Sequence, residues 1–158
     1  MGYRSYAVRS GESLEDSWDV DAFEGGRYHL CVQVPNGFFR EFRGSAADPR
    51  VTVACRYEHR RGFRQGFTGN IALVLGNADP SRAAEITVTD NAYKNKALTD
   101  TLKPGVKSRT VTLDLAKSHR WYDFTVRVSG FGDFARRYAG RVETGEEGFT
   151  DPLMGGIV

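Results

Sequence analysis

The sequence predicts an all-β fold, an antiparallel β-sandwich of immunoglobulin-like outline, and three observations carry that prediction. From Tyr28 onward apolar and polar residues alternate, the period of a half-buried strand. No window repeats its apolar residues at the three-to-four spacing of a helix face. Clusters such as GNADPS (Gly76 to Ser81) and LKPG (Leu102 to Gly105) punctuate the alternation with residues that favour tight turns. A chain of 158 residues fits one domain, and folding at that length buries roughly 68–70% of the unfolded surface.

Taken in order, residues 1–25 read as a lead-in segment with room for one edge strand, because GESLEDSWDVDAFEGG is acidic and weakly patterned. Residues 26–158 form the sandwich. Eight strands are expected, at Tyr28 to Val34, Phe38 to Gly44, Val51 to Tyr57, Ile71 to Gly76, Glu85 to Asp90, Arg109 to Leu115, Trp121 to Val128 and Tyr138 to Glu143. Parity assigns inward faces to Val51, Val53, Cys55 and Tyr57, to Ile71, Leu73 and Leu75, and to Tyr122, Phe124, Val126 and Val128.

The first hairpin is specified by its turn. A two-residue turn at Asn36-Gly37 would set Val32 against Glu41 and mix charge into the apolar face. A type I turn centred on Pro35 and Asn36, with Gly37 as a left-handed bulge, instead sets Val34 against Phe38, Val32 against Arg40 and Leu30 against Phe42. Proline's fixed φ suits the first central position, and glycine tolerates the last. Tyr28, Leu30, Val32, Val34, Phe38 and Phe42 then share an inner face interrupted by Arg40, and Phe39 is left on the outer one.

The formal net charge of +2 gives no global field for nucleic acid. The longest apolar run, around Ile71 to Leu75, is far short of the about 20 residues of a spanning helix, so the chain reads as soluble. No secretory leader is read at its start. Cys31 and Cys55 are too few for a disulfide framework or a metal site and are expected unpaired, with Cys55 inward and Cys31 outward. His29, His59 and His119 show no zinc spacing and no catalytic arrangement. Asp16, Asp19 and Asp21 lack the glycine and terminal glutamate of a calcium loop. No catalytic residue, metal or cofactor is therefore assigned.

Two stretches suggest binding. In WYDF, Trp121 and Asp123 point outward together, an aromatic face plus a carboxylate that suits a quaternary ammonium group. The alternative is that Trp121 covers one end of the sandwich. In RYEHRRGFRQGF, Arg60, Arg61 and Arg64 interleave with Phe63 and Phe67. With Phe39 they form a candidate lipid-surface contact; a solvated loop with arginine stems over apolar surface is the alternative.

VPNGFFREFRG, AAEITVTDNAY, HRWYDFTVRVSG and RRYAGRVETG followed by DP, in that order between about Gly26 and Pro152, resemble the C-terminal domain of bacterial phosphocholine-specific phospholipases C, the non-haemolytic and haemolytic enzymes. In that family the turn often reads His-Gly-Pro-Asn-Gly, whereas Gln33 and Val34 precede Pro35 here. The resemblance implies a secreted or periplasmic parent that hydrolyses phosphatidylcholine to diacylglycerol and phosphocholine. It places the catalytic residues in an N-terminal phosphoesterase domain, leaving this part a non-catalytic accessory domain whose partner is that catalytic domain and, on one reading, a phospholipid surface. An independent carbohydrate- or protein-binding module is the competing reading.

Overall fold

The computed structural model describes residues 4–9, 11–34, 37–60, 62 and 66–154. Nine strands form: β1 (Arg27–Gln33), β2 (Phe39–Ser45), β3 (Val51–His59), β4 (Phe67–Asn77), β5 (Ala84–Asp90), β6 (Leu98–Leu102), β7 (Arg109–Leu113), β8 (Trp121–Val128) and β9 (Ala135–Arg141). They make two antiparallel sheets, one of six strands in the order β1-β2-β9-β8-β5-β6 and one of three in the order β3-β4-β7. The two sheets make the expected sandwich. Three single-turn 3-10 helices are the only helical pieces among the described residues. Ahead of β1 the described chain holds two of these turns, Val20–Ala22 and Glu24–Gly26, and no strand.

β6 is the strand absent from the sequence reading. Its inward positions are Leu98, Asp100 and Leu102, paired with Val88, Ile86 and Ala84, so a carboxylate interrupts the apolar alternation. Asp100 is accommodated because β6 is an edge strand: Arg109 of β7, on the other sheet, reaches it at 2.8 Å.

The core lies where the sheets overlap. Ile71, Leu73 and Leu75 of β4 are fully buried against Tyr122, Phe124, Val126 and Val128 of β8 and Ile86 and Val88 of β5. Val51, Val53, Cys55 and Tyr57 of β3 pack on the same cluster, as period-two parity requires. Burial of the Tyr122 and Tyr138 rings pushes each phenol up to about 12, so both stay neutral hydrogen-bonding groups.

Three strands cannot cover six. Tyr138 donates to the Val53 carbonyl at 3.2 Å and Tyr57 to the Arg141 carbonyl at 2.9 Å, which sets β3 over β9 and leaves β1 and β2 extending past it. The hairpin register is the one its turn demands: Leu30 faces Phe42, Val32 faces Arg40, and the Val34 amide donates to the Phe38 carbonyl at 3.1 Å. Gly37 has φ +73°, while Pro35 and Asn36 lie outside the described residues. Val32 and Val34 keep the expected face but not the expected burial. They are 46% and 47% exposed, because no strand of the opposite sheet lies above them.

At the margin of the overlap, arginines take over from apolar side chains. Arg40 lies 3.8 Å over the Phe38 ring and bonds the Phe39 and Ala139 carbonyls at 2.8 and 2.9 Å and the Tyr122 hydroxyl at 2.9 Å. Arg136 lies 4.1 Å over Phe134 and bonds the Tyr28 hydroxyl at 2.6 Å and Asp48 at 3.2 Å. Gly44 is buried under this second cluster, and a β-carbon there would meet the Asp48 carboxylate and the Tyr28 hydroxyl.

Urea unfolding separates the covered and uncovered parts. Leu73→Ala is expected to cost about 2–5 kcal/mol as a cavity in a packed core, whereas Val32→Ala in the isolated chain should stay within about 0.5 kcal/mol.

Candidate functional site

The candidates singled out by sequence divide between one end of the sandwich, where Trp121 and the described part of the β3–β4 connection lie, and the outer face of the large sheet, where Asp123 and Phe39 lie. The turn into β8 is built by the 3-10 helix Ala116–Ser118, followed by two consecutive non-glycine residues in the left-handed region, His119 (φ 52°) and Arg120 (φ 74°). Such conformations are held only when their surroundings over-determine them. Here the Arg120 amide donates to the Leu115 carbonyl at 3.0 Å, the Val142 amide to the Arg120 carbonyl at 2.9 Å, and the Ser118 hydroxyl to the Trp121 carbonyl at 2.6 Å. Arg120 also bonds Thr144 and pairs with Glu146. Its stem passes Gly69, where a β-carbon would lie 3.4–3.5 Å away.

This pins the segment after β9 across the end. His119 packs against Phe149 with centroids 4.5 Å apart and the rings tilted at 34°, and the Trp121 indole donates to the Phe149 carbonyl at 2.9 Å. A cleft of about 320 Å³ results, lined by Thr68, Asn70, His119, Arg120, Arg141 and Phe149 among others. Trp121 thus covers one end of the sandwich, with Gly37 of the first hairpin close against its ring.

The β3–β4 connection opens at the same end. Arg61, Phe63 and Arg64 lie outside the described residues. Arg60 is exposed and donates to the Phe67 carbonyl at 3.0 Å. Phe67 is half-buried, its ring 5.3 Å from Tyr57 and 4.8 Å from His59. Hydrogen bonding and charge from Arg120 hold the exposed Glu146 carboxyl below its ordinary range.

Asp123 and Phe39 lie on the outer face of the large sheet and share a cation. Arg137 bonds the Asp123 carboxylate through two nitrogens at 2.8 and 2.6 Å, and its guanidinium sits 5.4 Å over the Phe39 ring. Burial opposes ionisation of Asp123, but hydrogen bonds from Arg137 and Asn91 outweigh it and keep the carboxyl below its ordinary range. The Trp121 ring is engaged at the end of the sandwich and Asp123 on the outer face, and the cation that Asp123 holds is the protein's own. Beside them a second groove of about 370 Å³ is lined by Glu41, Arg43, Asn91, Thr125, Arg127 and Arg137.

One constellation escaped the sequence reading. On the outer face of β1 and β2, His29 Nε2 lies 2.7 Å from Glu41 Oε1 and 3.6 Å from Cys31 Sγ. Linear spacing hides this group, because Glu41 joins the other two only through cross-strand register. Cys55 is on the other sheet, facing inward, and both cysteines are free.

Fold and surface together define a β-sandwich module with its grooves at one end and on one outer face. The chain belongs to the family described as bacterial phospholipase C, C-terminal domain, whose model matches residues 2–45 and 51–141. The match takes in the segment ahead of β1. Similar proteins include the non-hemolytic phospholipase C of Pseudomonas aeruginosa, 36% identical across 96% of this chain and 22% of that protein. The non-hemolytic phospholipase C of Burkholderia pseudomallei is 39% identical across 95% of this chain and 21% of its own length. The hemolytic phospholipase C of Pseudomonas aeruginosa is 35% identical across 91% and 19%. The chain therefore spans about a fifth of the length of the curated relatives it matches.

Burial pushes the Cys55 thiol up to about 11, and burial with the neighbouring Glu41 raises Cys31 more modestly. Because the thiolate is the reactive form, an aromatic disulfide reagent at mildly alkaline pH should titrate exposed Cys31 in the folded chain and Cys55 only after denaturant. Equal rates for both would contradict the burial of Cys55.

Proposed function

We propose that this chain is the non-catalytic C-terminal accessory domain of a secreted or periplasmic phospholipase C that hydrolyses phosphatidylcholine to diacylglycerol and phosphocholine. The observation that carries the reading is full-length similarity to the last domain of proteins roughly five times longer. The domain's work is to hold the catalytic phosphoesterase domain of the same chain and present it to lipid.

The docking surface for that partner is the inner face of β1 and β2 that the small sheet leaves uncovered, with Val32 and Val34 at its centre. An apolar strip of this kind on an edge hairpin needs a cover, and the four fifths of each relative that this chain does not match supply a candidate. The histidines support a non-catalytic role: His59 packs at a tilt against Phe67, His119 likewise against Phe149, and His29 bonds Glu41. Lipid contact falls to the β3–β4 connection, where Arg60, Arg61 and Arg64 each add about 1 kcal/mol near an anionic surface. Phe63, rather than the packed Phe67, is the side chain to enter the interface. A choline group at Trp121 and Asp123 would have to displace Arg137, so we place the headgroup contact at the loop.

Three measurements test this reading. The isolated chain should not turn over a chromogenic phosphocholine ester; turnover lost on mutating one histidine would overturn the non-catalytic assignment. In the full-length enzyme Val32→Arg with Val34→Arg should increase proteolytic release of this domain while leaving the isolated chain's melting temperature unchanged. Sedimentation with vesicles should rise with anionic lipid, fall with salt and be lost when Arg60, Arg61 and Arg64 become serine. Equal sedimentation of wild type and triple variant at low salt would leave packing as the domain's role.

A further inference from the structure

We infer that His29, Cys31 and Glu41 form a binding site for a borderline-soft divalent cation, Zn2+ by its chemistry, on the outer face of the β1–β2 hairpin. His29 and Cys31 are two residues apart on β1 and so share a face. Cys31 stands directly opposite Glu41, and His29 stands opposite Arg43, which makes Glu41 its diagonal neighbour within reach of a long side chain. The imidazole nitrogen, thiol sulfur and carboxylate oxygen all lie within 4.8 Å of one another.

The arrangement resembles a catalytic triad in composition but not in wiring. A nucleophile–histidine–carboxylate relay uses the two different ring nitrogens. Here Cys31 and Glu41 both approach Nε2, so no proton can pass through the ring from one to the other. Convergence of three donors on one point is instead the geometry of ligation. With Zn–S near 2.3 Å and Zn–N near 2.0–2.1 Å, a tetrahedral site separates sulfur from nitrogen by about 3.5 Å. The Sγ to Nε2 distance is already 3.6 Å. The Glu41 oxygen, 2.7 Å from Nε2, must retreat by roughly 0.6–0.8 Å to reach its own tetrahedral edge, a displacement that rotation of the glutamate side chain supplies.

Donor type selects the ion. A thiolate excludes the hard cations that prefer all-oxygen shells, and the sulfur, nitrogen and oxygen set suits zinc. Charge closes as well: thiolate and carboxylate neutralise the dication, the imidazole stays neutral with its proton on Nδ1, and the thiol proton is released to solvent. That neutrality matters beside Arg43, opposite His29, and Arg137, whose own charge is already held by Asp123. A fourth coordination position faces solvent. The ion would clip the edge strand β1 to β2 and stabilise the folded state by mass action.

The test uses the tag-free chain and cobalt as a spectroscopic stand-in for zinc. One equivalent of Co2+ near neutral pH should produce a near-ultraviolet thiolate-to-cobalt charge-transfer band and visible bands of tetrahedral intensity, both abolished by Zn2+. Cys31→Ser should remove the charge-transfer band, His29→Ala and Glu41→Gln should weaken binding by about tenfold or more, and Cys55→Ser should change nothing. Circular dichroism and melting temperatures of the metal-free variants show that each is folded, which the exposure of His29 and Cys31 favours. Absence of the band at stoichiometric cobalt, or its persistence in Cys31→Ser, overturns the site. Neither result bears on the accessory role proposed above, which the protease and vesicle measurements decide separately.

Discussion

The mismatch between a six-stranded and a three-stranded sheet is the constraint on which the rest of this structure depends. Burial of apolar surface drives folding in proportion to area removed from water, and here that area exists only where β3, β4 and β7 lie over β9, β8, β5 and β6. Beyond the overlap a fully apolar face would stand in solvent. Arg40 and Arg136 stand at that boundary, their stems and planar heads over Phe38 and Phe134 and their nitrogens on carbonyls and tyrosine hydroxyls. A desolvated guanidinium over an aromatic face contributes roughly 0.5–2 kcal/mol, and the fork of donors satisfies buried acceptors that an apolar residue would leave unpaired. The arginines end the core without exposing it.

The same mismatch explains why the surface features separate into two regions. One end of the sandwich is closed by a segment without regular structure, and closing it requires the left-handed pair His119 and Arg120 to turn the chain into β8. Arg120 then reaches back to Thr144 and Glu146, so a strained turn and the chain after β9 hold each other in place. The outer face of the large sheet has no layer above it and is polar, with Arg137 satisfied by Asp123 and Phe39. Grooves form at both places because side chains there are fixed by one another and not by a second sheet.

Local rules made much of this legible. The register of the first hairpin followed from the demands of Pro35, Asn36 and Gly37, and the burial of Leu73, Leu75, Phe124 and Val126 followed from parity. What failed was tertiary. Parity identifies which side of β1 Val32 occupies but not whether anything covers that side. β6 was hidden because Asp100 sits among inward leucines, tolerable only through Arg109 on the other sheet. Trp121 took the covering role that the sequence offered as the alternative, and the cation between β8 and β9 that engages Asp123 comes from Arg137, a residue fourteen positions away. The His29, Cys31 and Glu41 group was within reach, since the hairpin register already set Cys31 against Glu41. It was missed because metal ligands were sought by linear spacing and not by face.

The β1–β2 hairpin therefore carries two unlike surfaces one residue out of phase. Leu30, Val32 and Val34 project to the uncovered inner side, while His29 and Cys31 project outward beside Glu41. An edge hairpin joined to the sheet only through β2 is the element whose register is least protected by burial, and a slip of one residue would exchange these faces entirely. Gly37 sets the register at the turn, and the Tyr28, Asp48 and Arg136 cluster sets it at the far end of the hairpin. An ion bound by two β1 residues and one β2 residue would add a third point between them, on the side away from the exposed Val32 and Val34. Clipping the outer face would then hold Val32 and Val34 in one fixed position, so that a surface metal would rigidify the uncovered inner side of the hairpin without touching it.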